Sequence, residues 1–510
     1  MAQRSHVVFY VNQKRHQLSG NEVFQTFAEF VRYQMGLTGT KIVCAEGDCG
    51  ACTVLVGSIH EAQNGSSEKL IYKAVNSCII PLYLLDCHHI ITVEGIQNES
   101  KLHPVQEAMI EHQGAQCGYC TPGFICALAA CTEDVILNHE DKITEKKAAN
   151  FLTGNLCRCT GYKPILDAAT HINLKQIVSF QDRYHNPERN EELRQLSRVP
   201  AKLCIGENTV YLPTSLKSAL EIKQNNPEAR LIAGSTDIGV LVNKGKTTTP
   251  SVLSLQHLSE LYQIKEDSRE IWIGARVTLN QFENYIEDKI PEKARMMRIF
   301  ASPQIKNQGT LIGNVVNGSP IGDTLPYLMV APATLQIANR EAHRELPITE
   351  FYLGYKKLNL KSDELVTGIK IPQPHKNDKN NKSEKLKLYK VSLRKDLDIS
   401  AVTFAGAIGF DMKTVGQVDT ISTVRLSFGG VGPIVLRMSE MEEELLGKPF
   451  IRSLFESLGD RISQFIKPQS DLRASREYRL LLCRNLLLKF YDEVASEVSP
   501  LPVRSSEVTA

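Results

Sequence analysis

Val43-Cys44-Ala45-Glu46-Gly47-Asp48-Cys49-Gly50-Ala51-Cys52-Thr53-Val54 carries three cysteines at C-x4-C-x2-C spacing, and a fourth, Cys78, follows. This is the spacing of plant-type 2Fe–2S centres. Its physics is local. Bridging sulfides need hydrogen bonds, and the N–H groups of a tight loop supply them where Gly47 and Gly50 let the backbone curl inward. A zinc site or a set of buried thiols is the competing reading. Zinc sites show paired C-x2-C arms, and an x4 arm is unusual among them.

Working outward, Val7–Val11 alternates as a strand, Val54–Ile59 reads as another, and residues 21–35 between them have helical spacing. That is the pattern of a ferredoxin-like β-grasp domain. A second cysteine set lies in helical surroundings. Gln116-Cys117-Gly118-Tyr119-Cys120-Thr121-Pro122-Gly123 precedes the apolar run Phe124–Cys131, and Gly154-Asn155-Leu156-Cys157-Arg158-Cys159-Thr160-Gly161-Tyr162 precedes Ile165–Ile172. Two loop-to-helix corners with two thiols each can grip one centre from two sides, and helix N-termini favour thiolates. On chemistry alone this set holds zinc or iron–sulfur; the neighbouring set favours iron–sulfur, because electron carriers come in chains. Cys126 and Cys131, inside the apolar helix, read as core thiols.

The chain has 510 residues with 42% apolar and 23% charged side chains, which excludes wholesale disorder and suggests three or four domains. Lys+Arg 59 against Asp+Glu 57 leaves +2, no footprint for nucleic acid or an anionic membrane. Apolar runs such as Ile79–Leu85 fall far short of the ~18 residues of a spanning helix, and Met1–Tyr10 lacks a signal peptide's apolar core. The expectation is a soluble, cytoplasmic protein, in which 13 cysteines point to ligation rather than disulfides. Residues 175–200 are polar and read as a linker over the surface. Leu231-Ile232-Ala233-Gly234-Ser235-Thr236-Asp237-Ile238-Gly239 reads as a strand breaking into a glycine turn, and Thr310–Asn314 with Ser319–Asp323 as a second loop. Both can offer N–H groups to a pyrophosphate. Neither matches a G-x-G-x-x-G or P-loop pattern, and ordinary strand-end turns are the alternative. Gln373–Lys387 reads as a solvated loop. Beyond it come strand-like Val402–Gly409 and Ser422–Phe428, then helices around Leu454–Ile466 and Tyr478–Val494.

These motifs, with Gln304–Asn314, Gly354-Tyr355-Lys356-Lys357, Lys390–Arg394 and Gly429-Gly430-Val431-Gly432-Pro433, resemble the iron–sulfur/FAD part of the xanthine dehydrogenase family of molybdenum hydroxylases. The resemblance covers nearly the whole chain. It implies an α+β multidomain fold: a β-grasp 2Fe–2S ferredoxin domain (1–95), a helical-bundle 2Fe–2S domain (96–174), the linker (175–200), a two-part α/β FAD-binding domain (201–385) and an α+β C-terminal domain (386–500). It implies two 2Fe–2S clusters, held by Cys44, Cys49, Cys52 and Cys78 and by Cys117, Cys120, Cys157 and Cys159. It implies FAD lined by Leu231, Ile232, Ala233, Gly234, Ser235, Thr236, Asp237, Ile238, Phe300, Gly309, Thr310, Leu311, Ile312, Gly313, Asn314 and Asp323, with Thr367 and Lys390 as further candidates. For Lys390 a solvent-exposed lysine is the other reading. Phe300 and Tyr355 are expected either to shape the nicotinamide approach or to pack in the core. No catalytic residue is expected on this chain.

The chain stops where the family's molybdopterin domains would begin. The expectation is therefore a small subunit that passes electrons from a molybdopterin-binding large subunit, with Gln116 near the pterin, through both clusters and FAD to NAD+ as hypoxanthine and xanthine become urate. A heterodimer or dimer of heterodimers follows. The alternatives are the equivalent subunit of an aldehyde or other N-heterocycle hydroxylase, or a stand-alone NADH-linked iron–sulfur flavoprotein reductase. Three departures from the family pattern bear on geometry: Val43 stands where Gly is common, Ile312 where a second Gly is usual in the phosphate loop, and Leu393 where a basic residue is common.

Overall fold

The N-terminal alternation builds a hairpin. In the computed structural model, which describes residues 3–59, 70–97, 101–373, 384–411 and 419–498, Val7–Val11 (β1) pairs antiparallel with Lys14–Leu18 (β2). Thr53–Ser58 (β3), Ile71–Asn76 (β4) and His89–Ile91 (β5) complete a sheet of order β2-β1-β5-β3-β4, in which β5 runs parallel to β1. The 21–35 segment is not one helix. It is a 3-10 turn (Asn21–Phe24), a short α-turn (Phe27–Glu29) and a π-turn (Phe30–Gln34). A capping box explains the break: the Thr26 hydroxyl accepts from Glu29 N–H while the Glu29 carboxylate accepts from Thr26 N–H, so the chain restarts there.

Four helices, Pro104–Glu111, Thr121–Leu137, Glu145–Leu152 and Lys163–Thr170, form the second unit. The long one carries Cys126 and Cys131 fully buried. The stretch expected as a surface linker is instead helical at Phe180–Arg183 and Pro187–Ser197 and packs inward through Phe180 and Leu193. Few apolar residues suffice, because polar groups do the docking. Tyr184 Oη donates to Gly95 O (2.7 Å), and Tyr10 Oη donates to the Glu192 carboxylate (2.5 Å).

Glu133 on the long helix ties this segment down. It is 2% exposed, and its Oε1 accepts from Phe180 N–H at 2.9 Å. Burial pushes its carboxyl up to about 7, against the amide contacts from Phe180 and Gln181. The fold therefore holds a proton there that the unfolded chain, titrating near 4.3, has released. That contribution is present in full below the unfolded value and is lost as pH rises through about 7. Glu133→Gln keeps an acceptor for the amides and has no charge to bury. Between pH 5 and 8 the wild type is expected to lose on the order of 2 kcal/mol relative to the variant, read as diverging thermal midpoints; parallel pH profiles would refute it.

The flavin-type half contains three larger sheets and a two-stranded one. Ala201–Ile205 (β6), Asn208–Leu212 (β7), Arg230–Ile232 (β8) and Ser251–Ser254 (β9) have order β6-β7-β9-β8. Ile264–Glu266 (β10), Glu270–Gly274 (β11), Thr334–Ala338 (β12) and His343–Pro347 (β13) join Leu365–Pro372 (β16) in order β10-β11-β16-β12-β13, and Tyr352–Gly354 (β14) pairs with Lys357–Leu358 (β15). Lys385–Val391 (β17), Val402–Asp411 (β18), Thr420–Gly429 (β19) and Leu436–Arg437 (β20) form the last sheet, in sequential order. Part of the expected 373–387 loop is thus strand β17; residues 374–383 of it lie outside the described residues. Strand β18 is covered on both faces. Phe404 and Ile408 pack with Phe428, Phe455 and Phe490, while Ala405 and Ala407 face Val330, the period-2 alternation of a central strand.

The units do not keep separate cores. Phe9, Phe27 and Leu82 of the first unit share one apolar cluster with Ala201, Leu203, Val210 and Val252 of the β6-β7-β9-β8 sheet. Leu55, Cys126 and Phe180 join first unit, helical unit and linker in another. Among the described residues no helix is long and apolar enough to cross a membrane.

Candidate functional site

The loop 44–52 is held by backbone turns with positive φ at Ala45, Gly47 and Gly50. Cys78 comes to it from a 3-10 turn, Ser77–Ile79, after β4. Its sulfurs converge: Cys44 touches Cys49 and Cys78, and Cys78 touches Cys52. No disulfide joins them. The Cys44 thiol is pulled down by its contacts with Cys49 and Cys78, and the Cys49 thiol is pushed up by Cys44 and burial. Glu46 N–H points at Cys44 Sγ (3.4 Å), and Ala51 N–H at Cys49 Sγ. Four soft donors ringed by amide N–H groups fit an iron–sulfur cluster.

The second set is assembled across its two corners. Cys117 Sγ lies 3.5 Å from Cys159 Sγ, and Cys120 touches Cys157. Cys120 caps the helix Thr121–Leu137. Burial opposes ionisation of Cys157, yet the Thr160 hydroxyl and the N–H groups of Thr160 and Cys159 lower its pKa. Burial and the Cys157 contact push Cys120 up to about 12. Tyr162, at φ 68°, swings back so that its Oη accepts from Cys157 N–H at 3.0 Å. Cys117, Cys159, Gln116, Tyr119 and Leu156 are exposed, whereas Cys120 is half-buried and Cys157 buried.

The two cysteine loops touch. Leu156 N–H donates to Cys49 O at 2.9 Å. A Cβ on Gly50 would lie 2.2 Å from Gly154 O, so only glycine permits this approach. The flavin half reaches the first loop as well: Asn243 Nδ2 donates to Ala45 O (2.9 Å) and Cys78 O (2.7 Å), and Lys244 Nζ pairs with Glu46 at 2.5 Å.

Asn243 ends the helix Ile238–Asn243, which follows the turn 233–237. That turn meets the second expected flavin stretch directly. A Cβ on Gly234 would sit 2.0 Å from Gln308 O, and one on Gly309 3.0 Å from Thr236 Oγ1. Ser235 takes φ 60°, and Asn317 Nδ2 donates to Asp237 at 3.1 Å. Residues 311–317 are not a loop. They form a helix whose N-cap is Thr310, its hydroxyl accepting from Gly313 N–H at 2.9 Å. Leu311 and Ile312 pack into the core, as Ile232 does. The Ile312 side chain, at the position of that departure, is thus directed into the core. Asn314 Oδ1 accepts from Thr324 Oγ1 at 2.5 Å. Next to it Asp323 accepts from Ser400 Oγ (2.6 Å) and pairs with Lys390 Nζ at 2.5 Å.

Lys390 is no solvent lysine: its side chain is 2% exposed. Thr367 spends its hydroxyl inside the sheet, donating to Gln336 O at 3.2 Å. Phe300 is half-buried against the flavin-half core. Tyr355, 65% exposed, is not a core aromatic, and Val43 (57%) and Leu393 (76%) are exposed too.

Sequence reasoning missed several residues here. Gln304 lies inside a quoted motif, yet nothing local marks its amide as the meeting point of three units. Arg4, Asp86 and His257 are far apart in sequence. Asp86 accepts from Arg4 Nη1 (3.0 Å), Arg4 Nη2 (2.7 Å), Val8 N–H (2.8 Å) and His257 Nε2 (2.8 Å), joining the first unit to the flavin half. Asp86, Cys87 and His257 converge closely enough to suggest a metal. The Arg4 guanidinium already supplies the cation, 4.0 Å from Cys87 Sγ.

Comparison with known proteins agrees with this layout. Residues 92–170 match a 2Fe-2S binding domain, 204–374 the FAD binding domain in molybdopterin dehydrogenase, and 387–494 the CO dehydrogenase flavoprotein C-terminal domain. Xanthine dehydrogenase of Emericella nidulans is 30% identical over 98% of this chain and 39% of its own length. Xanthine dehydrogenase 2 of Arabidopsis thaliana is 29% identical over 96% of this chain and 40% of its own. The chain thus spans about two fifths of these relatives. Among solved structures, quinoline 2-oxidoreductase from Pseudomonas putida 86 aligns at TM-score 0.49 and 22% identity, over 56% of this chain and 95% of that one. Two cysteine quartets in the first part of the chain and three family domains in order along it lead to one conclusion: the chain belongs to the 2Fe–2S/FAD flavoprotein family of the molybdopterin dehydrogenases.

Proposed function

We propose that this chain is the electron-transfer subunit of a xanthine dehydrogenase, taking electrons from a molybdopterin-binding partner and delivering them to NAD+. The carrying observation is spatial order. The second cysteine set presents Cys117 and Cys159 at the surface, its loop is hydrogen-bonded to Cys49 of the first set, and the first loop is hydrogen-bonded by Asn243, which follows the flavin turn. When bound, the clusters supply one-electron carriage and FAD the conversion between single electrons and hydride. Cys117, Cys120, Cys157 and Cys159 hold one cluster; Cys44, Cys49, Cys52 and Cys78 hold the other. The 233–237 turn and the Thr310 cap bind the flavin's phosphates, and Asp323 with Lys390 fixes the floor of that site. Exposed Tyr355, with Phe300, lines the nicotinamide approach. The edge formed by Gln116, Cys117, Tyr119, Leu156 and Cys159 faces the partner. The purine substrate is supported by relatives named xanthine dehydrogenase along nearly the whole chain.

The test is direct. Anaerobically purified protein is expected to contain four irons and one FAD per chain, to pass electrons from NADH to a dye, and to leave hypoxanthine untouched without its partner. Zinc in place of half the iron, or hydroxylation by this chain alone, would overturn the proposal.

A further inference from the structure

Gln304 lies on a one-turn helix, Pro303–Lys306, at the point where all three units meet, and it is fully buried. Its Nε2 donates to Asn155 Oδ1 (2.8 Å) in the helical unit and to Thr53 Oγ1 (3.4 Å) in the first unit. Both of those groups donate onward to the same atom. Asn155 Nδ2 reaches Gly50 O at 3.1 Å, and Thr53 Oγ1 reaches it at 2.6 Å. The orientation is forced. Gly50 O is only an acceptor, so Asn155 must turn its NH2 toward it and its carbonyl toward Gln304, which must then present its own NH2.

The peptide that receives these bonds joins Gly50 to Ala51. Its other end, Ala51 N–H, points at the Cys49 sulfur. Donors on the carbonyl polarise the peptide and make that N–H a stronger donor. Hydrogen bonds to cluster sulfurs stabilise the reduced, more negative state and raise the reduction potential.

We propose that Gln304 is a positioning residue that raises the potential of the Cys44–Cys78 cluster, acting through Asn155, Thr53 and the Gly50–Ala51 peptide. The inference rests on the reading of that cysteine set as a 2Fe–2S site. It gives a residue of the flavin half control over how readily the neighbouring centre accepts an electron.

The experiment is an EPR-monitored redox titration of the full chain, with iron and flavin assayed on each sample. Gln304→Leu removes both donations, and Thr53→Val removes one of the two relays with little change of shape. In each variant the reduced-to-oxidised ratio of this cluster at fixed potential is expected to fall at least threefold, about 28 mV at 59 mV per tenfold, while the helical-unit cluster and the flavin keep their potentials. An unmoved potential in Thr53→Val with both clusters present overturns the inference, even if Gln304→Leu does not fold. Equal shifts at all three centres in Gln304→Leu also overturn it, because they mark general loosening. Wild-type protein without a 2Fe–2S signal from this set would instead bring down the reading on which the inference stands.

Discussion

Cys157→Ser is expected to empty the helical-unit cysteine set while the rest of the chain stays folded. Serine replaces a soft anionic ligand with a hydroxyl that matches iron poorly. Cys157 is the buried member of the pair issuing from one tight turn, and it faces Cys120 across the two corners. Losing the cluster removes the link between those corners. The Phe124–Ile165 core beneath them remains, so the helices should persist. Leu156 N–H also braces Cys49 O, and a small change in the other cluster's EPR line shape is expected. In a complex with the proposed molybdopterin-binding partner, flavin reduction driven by the proposed purine substrate should fall by more than about 100-fold, the upper end for losing even a supporting group of a metal site. Flavin reduction by NADH should stay near wild type. Stopped-flow bleaching of the flavin from each side measures the two separately. Intact purine-driven reduction in a variant shown to lack this cluster would place it off the electron path.

Arg4→Met is expected to destabilise the fold strongly for a single substitution outside the cysteine sets. Arg4 and Asp86 side chains are 6% and 0% exposed. Removing the guanidinium leaves a buried carboxylate with His257 and one amide, at a cost of about 3–5 kcal/mol. Burial alone would raise the Asp86 pKa; His257 and Arg4 overcome it and hold the carboxyl well below the usual carboxylate range. The pair's contribution is thus fully present above the unfolded value near 3.9 and is lost as pH falls through the folded one. Arg4 also lies in the seam between units, its N–H donating to Pro200 O at 2.9 Å and its O accepting from Lys202 N–H at 2.9 Å. Denaturant titration at neutral pH reads the loss. Arg4→Met with Asp86→Asn should recover more than half of it, because no charge is then stranded. A double variant no more stable than the single would show that the guanidinium acts by packing.

Both results depend on features of very different legibility. The cysteine motifs could be read because the ligand spacing within each is local. C-x4-C-x2-C and C-x-C place donors within a single loop, and the geometry of that loop needs little from the rest of the chain. The strands at 402–411 and 420–429 were legible for the same reason: the first is a mostly apolar run, as a strand covered on both faces is, and in the second Val424, Leu426 and Phe428 alternate with polar residues. The region 311–317 was not. Its small polar residues suit a loop, and only a Thr310 cap together with burial of Leu311 and Ile312 makes it a helix.

The residues 180–197 failed in the opposite direction. Their polarity suggested a solvated linker, but polarity does not distinguish a hydrogen bond to water from one to Gly95 O or Glu133. Lys390 shows the same ambiguity, since a lone lysine carries no local sign that Asp323 waits 67 positions away.

By itself, then, the sequence determined the cofactor chemistry, the order of the units and the mixed α/β character of the second half, because the motifs and periodicities that carry them are each local. Only the tertiary structure decided that the units share cores, that Arg4, Asp86 and His257 close one seam, and that Gln304 joins flavin half, helical unit and Cys49 loop through one carbonyl. Those contacts pair residues 82 to 251 positions apart. No local propensity encodes them; they form when apolar faces from separate units are buried against one another and the polar groups trapped between them must find partners.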